Sequence, residues 1–170
     1  MAQAAPKAQL GFLGVVNLSG TGFVGGLLVT NQLGRPLEFQ CTTPVKPNRT
    51  QEILYGPTLN SFVCAELIGK TLFDRLQVKP QVIVSDQPEM LALRSVIALP
   101  VCQILPKSHS NTEGMIRAGA HFLKLHADFP DDVALVAEIA KSFPADADLI
   151  EPLERVREAL QETLRAGVAA

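Results

Sequence analysis

Apolar residues near the start of the chain fall into runs of two kinds. Phe12 to Leu18 and Phe23 to Val29 are nearly continuous, whereas Leu37, Phe39 and Cys41 alternate with Glu38, Gln40 and Thr42. Continuous runs suit strands buried on more than one side, and a two-residue period suits a strand with one wet face. Ser19-Gly20-Thr21-Gly22 and Asn31-Gln32-Leu33-Gly34-Arg35-Pro36 separate the runs, and both read as turns between antiparallel neighbours. The pattern over residues 11–44 therefore predicts a three-strand antiparallel meander.

Further on the period changes. Leu59 to Leu76 reads as a helix started by Pro57-Thr58 and ended by Val78-Lys79-Pro80. At 100° per residue Phe62, Ala65, Gly69, Leu72, Phe73 and Leu76 share the side expected to pack on the sheet, with Glu66, Lys70 and Asp74 along its margin as an ion ladder. Gln81 to Ser85 is a β-branched run suited to a buried strand entered after a helical crossover. Pro88 to Arg94 reads as a short helical piece and Leu99 to Leu105 as a fifth strand. After a polar link, KSHSNTEG, residues Met115 to Leu125 fit a helix or, near Phe122 to Leu125, a short strand; the helix is the favoured reading. Asp131 to Phe143 reads as a helix with Asp131 as its cap, and so does Asp148 to Ala166. In the latter Leu149, Leu153, Val156, Leu160 and Leu164 form a stripe needing a partner, either the parent sheet or another chain.

Composition narrows the classes. A chain of 170 residues, 47% hydrophobic and 19% charged, is sized for one domain of roughly 100 to 200 residues with a real core. A formal net charge of -2 gives no global attraction for nucleic acid, and 5% aromatic content with no Trp and only Tyr55 leaves few base-stacking candidates. Cys41, Cys64 and Cys102 show no CxxC spacing and read as small buried hydrophobes. The start MAQAAPKAQL lacks a secretory pattern, and no continuous apolar run approaches the ~18 residues of a membrane span, so a cytoplasmic location with no membrane partner is expected.

Candidate chemistry is sparse. Residues 43–57, TPVKPNRTQEILYGP, read as a long connection, and long irregular connections are often binding loops. Lys46 and Arg49 would meet an anion, Asn48 and Glu52 would hydrogen-bond, and Tyr55 would be a flat anchor for a partner. In the alternative, Ile53, Leu54 and Tyr55 pin the segment to the body. No nucleophile elbow, Walker loop or HExxH occurs. His109, His121 and His126 lack metal-site spacing and read as buried or surface histidines rather than a zinc site with Cys102.

The order strand, strand, strand, helix, strand, helix, strand over residues 10–106 resembles the ribonuclease H-like superfold. The resemblance implies carboxylates on the first strand, on the first long helix, at the end of the fourth strand and late in the chain, holding Mg²⁺ or Mn²⁺ for phosphoryl chemistry. Carried over, these positions give Asn17 in place of an acid, then Glu66, Asp86 and a choice among Asp128, Asp131 and Asp132. An amide at the first position weakens any hold on two cations, and Asp86 before Gln87-Pro88-Glu89 also fits a helix cap. The glycine-broken first hairpin and KPQVIVS are similar to the middle domain of peptide release factors, but the Gly-Gly-Gln loop of that domain is absent.

The expected molecule is thus α/β, a mixed five-stranded sheet of ribonuclease H-like topology. A flexible segment at 1–9 would precede the core at 10–106, and a helical extension at 107–170 would pack on it. Its expected role is a non-catalytic binding or assembly module without cofactor, meeting a protein partner or a second copy through residues 43–57, with nucleic acid open as a partner. The alternative is a metal-dependent nuclease using Glu66 and Asp86, with Asp128 as a further ligand.

Overall fold

The structure is a computed structural model that describes residues 8–106 and 114–169. Strand β1 (Gln9–Leu18) pairs along its full length with β2 (Gly22–Asn31), and β3 (Pro36–Cys41) completes the expected meander. The first turn works because Gly20 and Gly22 take φ of 79° and 108°, a region most side chains avoid. In the second turn the Asn31 side-chain oxygen accepts from the amides of Leu33 and Arg35 at 2.9 and 3.0 Å, a local bond that holds the chain bent.

Strands β4 (Val82–Ser85) and β5 (Val101–Ile104) lie parallel to β1, in that order. The sheet then continues where a helix was the favoured reading. Residues 115–125 supply β6 (Ile116–Ala118) and β7 (His121–Leu125), an antiparallel hairpin whose second strand pairs with β5. Ile116, Ala118, His121 and Leu123 are buried, which is a two-residue period on either side of the turn at Gly119. The sheet is therefore seven-stranded rather than five-stranded, in the order β3-β2-β1-β4-β5-β7-β6. Residues 1–9 also depart from expectation where they are described: Ala8 is buried and Gln9 begins β1. Most of the polar link, with His109, lies outside the described residues.

Each face of the sheet has its own core. On one, Leu10, Phe12, Val24, Leu28, Val82 and Val84 meet Leu153, Val156 and Leu160 of helix α5 (Glu151–Ala169). The apolar stripe foreseen in that helix thus covers the parent sheet, and glycines at 14 and 26 let it lie close: a Cβ on either would stand 3.3 or 3.1 Å from Val156. Helix α4 (Asp132–Ala140) adds Val136 to the same core.

On the other face, Leu13, Val15, Leu27, Val29 and Ile83 meet the long helix 59–75. This helix starts as α2 (Leu59–Ser61), widens into a π-helical stretch (Phe62–Gly69) and ends as α3 (Lys70–Arg75). The first α-helix of the chain, α1 (Arg49–Tyr55), precedes it. Ala65, Gly69, Leu72 and Leu76 are buried as expected, but a π-helix turns less per residue than an α-helix, so the buried set departs in part from the one read at 100°. Val63, Cys64 and Ile68 are buried too, whereas Phe62 and Phe73 are only partly covered. Ile68 enters the space left by Gly25 of β2, where a Cβ would collide with it. Among the described residues no helix is long and apolar enough to cross a membrane.

Candidate functional site

Strand β4 ends opposite Leu13 while β1 runs on to Leu18, and in open α/β sheets the carboxyl ends of parallel strands are where ligands usually bind. The register Leu10 with Val82 through Phe12 with Val84, continued along the strands, sets Gly14 opposite Asp86 and Val15 opposite Gln87. Gln87 confirms that register with its side chain. Its Oε1 accepts from the Val15 amide at 2.8 Å and its Nε2 donates to the Val15 carbonyl at 3.1 Å, so a carboxamide replaces a strand's backbone in the ladder.

Asp86 is not the helix cap that its neighbours suggested. The short 3-10 helix Pro88–Ser95 starts at Gln87 with no side-chain cap. Instead Arg157 of α5 donates through Nη2 to both Asp86 oxygens, at 2.6 and 2.7 Å. The pair is half-buried, where a charge-assisted bond is stronger than in open water. Arg157 stands outside the apolar stripe of its helix, and its partner lies 71 residues earlier.

The other carried-over acids do not join Asp86. Asn17 points to the face of Leu13 and Val15, opposite α5, and is exposed. The residue facing Asp86 across the strands is Gly14, which has no side chain to offer a cation. Glu66 sits on the exposed side of the π-helical stretch. The expected ladder is broken there: among the described residues Lys70 pairs with Asp74, at 2.6 Å, and not with Glu66. Asp128 is exposed, with its amide bonded to His126 Nδ1. Asp131 stands at the N-cap position of α4 without making a capping bond. Asp132 is buried and held by Arg94 through Nε at 2.6 Å and Nη2 at 3.3 Å, and the guanidinium carbon of Arg94 lies 3.9 Å from the Phe129 ring centre. Among the described residues no group of three or more His, Cys, Asp or Glu is arranged to hold a metal ion. A two-metal centre needs several hard oxygens converging on it, and these residues do not fit one.

The segment 43–57 is not an irregular loop. Its middle is α1, opened by a capping box in which Asn48 accepts from the Gln51 amide at 2.8 Å and Gln51 accepts from the Asn48 amide at 3.0 Å. The many hydrogen-bonding groups of Asn48 to Glu52 thus satisfy the helix start itself. Arg49 pairs with Glu52 at 3.2 Å in solvent. Tyr55 stacks on Phe62, ring centres 4.0 Å apart, so its ring fastens α1 to the long helix rather than standing free. Ile53 and Leu54 do not pin the segment: they are 64% and 77% exposed. Between α1 and the first turn, Asn17, Ser19, Lys46, Glu52 and Asn60 line a cleft of about 290 Å³.

Cys64 and Cys102 are buried as small hydrophobes, whereas Cys41 on β3 is only partly buried. Burial pushes the Cys64 thiol up to about 12, with the charge of Glu89 adding to the effect, and burial likewise raises Cys102, helped by Asp132. His121 is buried, its Nε2 3.1 Å from Asp148 Oδ1. That same oxygen accepts from the Ile150 amide at 2.9 Å at the start of α5. His126 makes an edge contact with Phe129.

The fold is an α/β domain with a mixed sheet covered on both faces, and it has a counterpart among solved structures. The catalytic domain of human Endonuclease V matches with a TM-score of 0.53, covering 97% of this chain and 85% of that one, at 12% sequence identity. At that identity the likeness concerns the fold alone. No family model matches the chain. No curated protein sequence matches it either.

Proposed function

We propose that this chain is a binding or assembly module built on a nuclease-type, ribonuclease H-like scaffold, and that it meets a protein partner through α1. The observation that carries the reading is the Asp86–Arg157 pair. The acid at the strand ends has an internal guanidinium as its counter-charge, and the neighbouring strand presents glycine. A divalent cation there would have to displace Arg157 and would find one carboxylate where it needs several.

The contact surface is assigned to α1 because its apolar side chains face outward. Exposed apolar residues on a helix already held at both ends, by the Asn48 cap and by the Tyr55–Phe62 stack, cost little further ordering when a partner covers them. Affinity capture of partners on the wild-type chain, an Ile53→Asp/Leu54→Asp chain and a Leu33→Asp chain tests this. Leu33 is 82% exposed in the second turn, so it controls for surface apolarity as such. The reading expects partner recovery to fall only in the α1 variant; equal recovery from all three overturns it.

A second reading has the fold comparison on its side, and that comparison taken alone favours it: a divalent-metal-dependent nuclease using Glu66, Asp86 and Asp128. The supporting observation is the match to a domain described as catalytic. Incubation with single- and double-stranded DNA and RNA in Mg²⁺ or Mn²⁺ decides the matter. Metal-dependent cleavage abolished by Asp86→Asn would replace the first reading by the second.

A further inference from the structure

The cleft beside α1 lies on the opposite side of the sheet from Arg157 and raises a separate question. Its volume is about 290 Å³, and its apolar walls are Leu18, Phe23, Pro47 and Leu59. The walls are fixed in place. Phe23 and Val45 exchange two backbone bonds of 2.8 Å, and α1 is held by its capping box and by the Tyr55–Phe62 stack.

The polar groups in the cleft are incompletely used. Lys46 reaches only the Gly20 carbonyl, at 3.4 Å. Glu52 takes a single 3.2 Å bond from exposed Arg49. Lys46 and Glu52 face one cleft yet form no ion pair with each other, and among the described residues the carboxamides of Asn17 and Asn60 make no hydrogen bond.

We propose that this cleft binds a small zwitterion of the α-amino-acid class. Its carboxylate is taken by Lys46 and the Asn17 amide, its ammonium by Glu52 and the Asn60 carbonyl, and its side chain rests on Leu59 and Phe23. A simple anion would leave Glu52 opposed to it, and a simple cation would leave Lys46 so. A ligand carrying both charges a few ångströms apart satisfies both walls, through charge-assisted bonds that are the stronger kind.

Calorimetric titration of the full chain with each proteinogenic L-amino acid, at up to about 10 mM, tests the assignment. At least one amino acid is expected to bind saturably, and Lys46→Met and Glu52→Gln should each weaken that binding by about tenfold or more. Its N-acetyl and carboxamide derivatives, which each lack one charge, should weaken by a similar factor. Lys46 and Glu52 are exposed, so the variants keep the fold, and thermal melting verifies it. The proposal is overturned if no amino acid binds, if the two variants bind as wild type does, or if an N-acetyl derivative binds equally well. These outcomes are independent of partner capture through α1.

Discussion

The two faces of the sheet are covered in different ways. Against one lies α5, a regular helix whose Leu153, Val156 and Leu160 are buried on a floor containing Gly14 and Gly26. Against the other lies a helix that widens into a π stretch, preceded by α1, which has no buried residue. On the first face Arg157 covers the edge at the strand ends by holding Asp86, and clefts lie elsewhere along α4 and α5. The second is open at the same end, with a cleft and two exposed apolar side chains beside it. Both faces carry a buried core, and the proposed contact surface lies on the second, beside α1. π-helical segments are often found at functional sites, which agrees with this assignment.

Substitution should break the two faces unequally. Leu153→Ala removes a fully buried side chain from the α5 core and should cost about 3 kcal/mol in urea unfolding with an unchanged m value. Leu54→Ala on α1 should stay within about 0.5 kcal/mol of wild type. A similar cost for both would erase the distinction. Asp132→Ala leaves the Arg94 guanidinium buried without its carboxylate and should cost about 3 kcal/mol. Arg157→Ala acts on a half-buried pair and should cost only about 1 kcal/mol. A loss as large as that of Asp132→Ala would mean that α5 depends on its edge as much as on its stripe.

The smallest effect concerns Glu38, on edge strand β3. Its carboxyl is held below the ordinary 4.5 chiefly by the hydrogen bond from the Gln40 side chain and then by the Val78 amide, with the Gln77 amide and the Lys79 charge assisting. Because the folded value lies below the unfolded one, the stability that it contributes is complete above the unfolded value and is lost as pH falls through the folded one. Wild type should therefore lose stability below pH 4.5 that Glu38→Gln does not lose. Comparing urea midpoints of the two chains at about pH 6 and about pH 3 measures this, and parallel decline would remove Glu38 from the acid response.

The legible parts of the molecule were those governed by local periodicity. The meander follows from its glycine and Asx turns, and the α5 stripe follows from a regular 3.6-residue repeat. What could not be read has physical causes. Met115, Ala118, Phe122 and Leu125 satisfy a helical period as well as Ile116, Ala118, His121 and Leu123 satisfy a strand period, and pairing with β5 decides between them. The π stretch brought Val63, Cys64 and Ile68 into the buried side of the long helix and left Phe62 and Phe73 at its margin, because its residues turn through a smaller angle than the α-helical rule assumes. For α1 the signal was present in Asn48-x-x-Gln51, but the surrounding prolines and glycines outweighed it. The site was the least legible part. The carried-over first-strand position fell on Asn17, whereas the β1–β4 register, a tertiary property, sets Gly14 against Asp86. Sequence spacing holds no trace of an ion pair between Asp86 and Arg157.

The central claim is that Asp86 has Arg157, not a divalent cation, as its counter-charge. Titration of isotope-labelled protein with Mn²⁺, read as paramagnetic broadening of amide resonances, tests it directly. The account predicts no selective broadening of Gly14, Asp86, Gln87 and Arg157. Selective, saturable broadening of those amides, lost in Asp86→Asn, would contradict it.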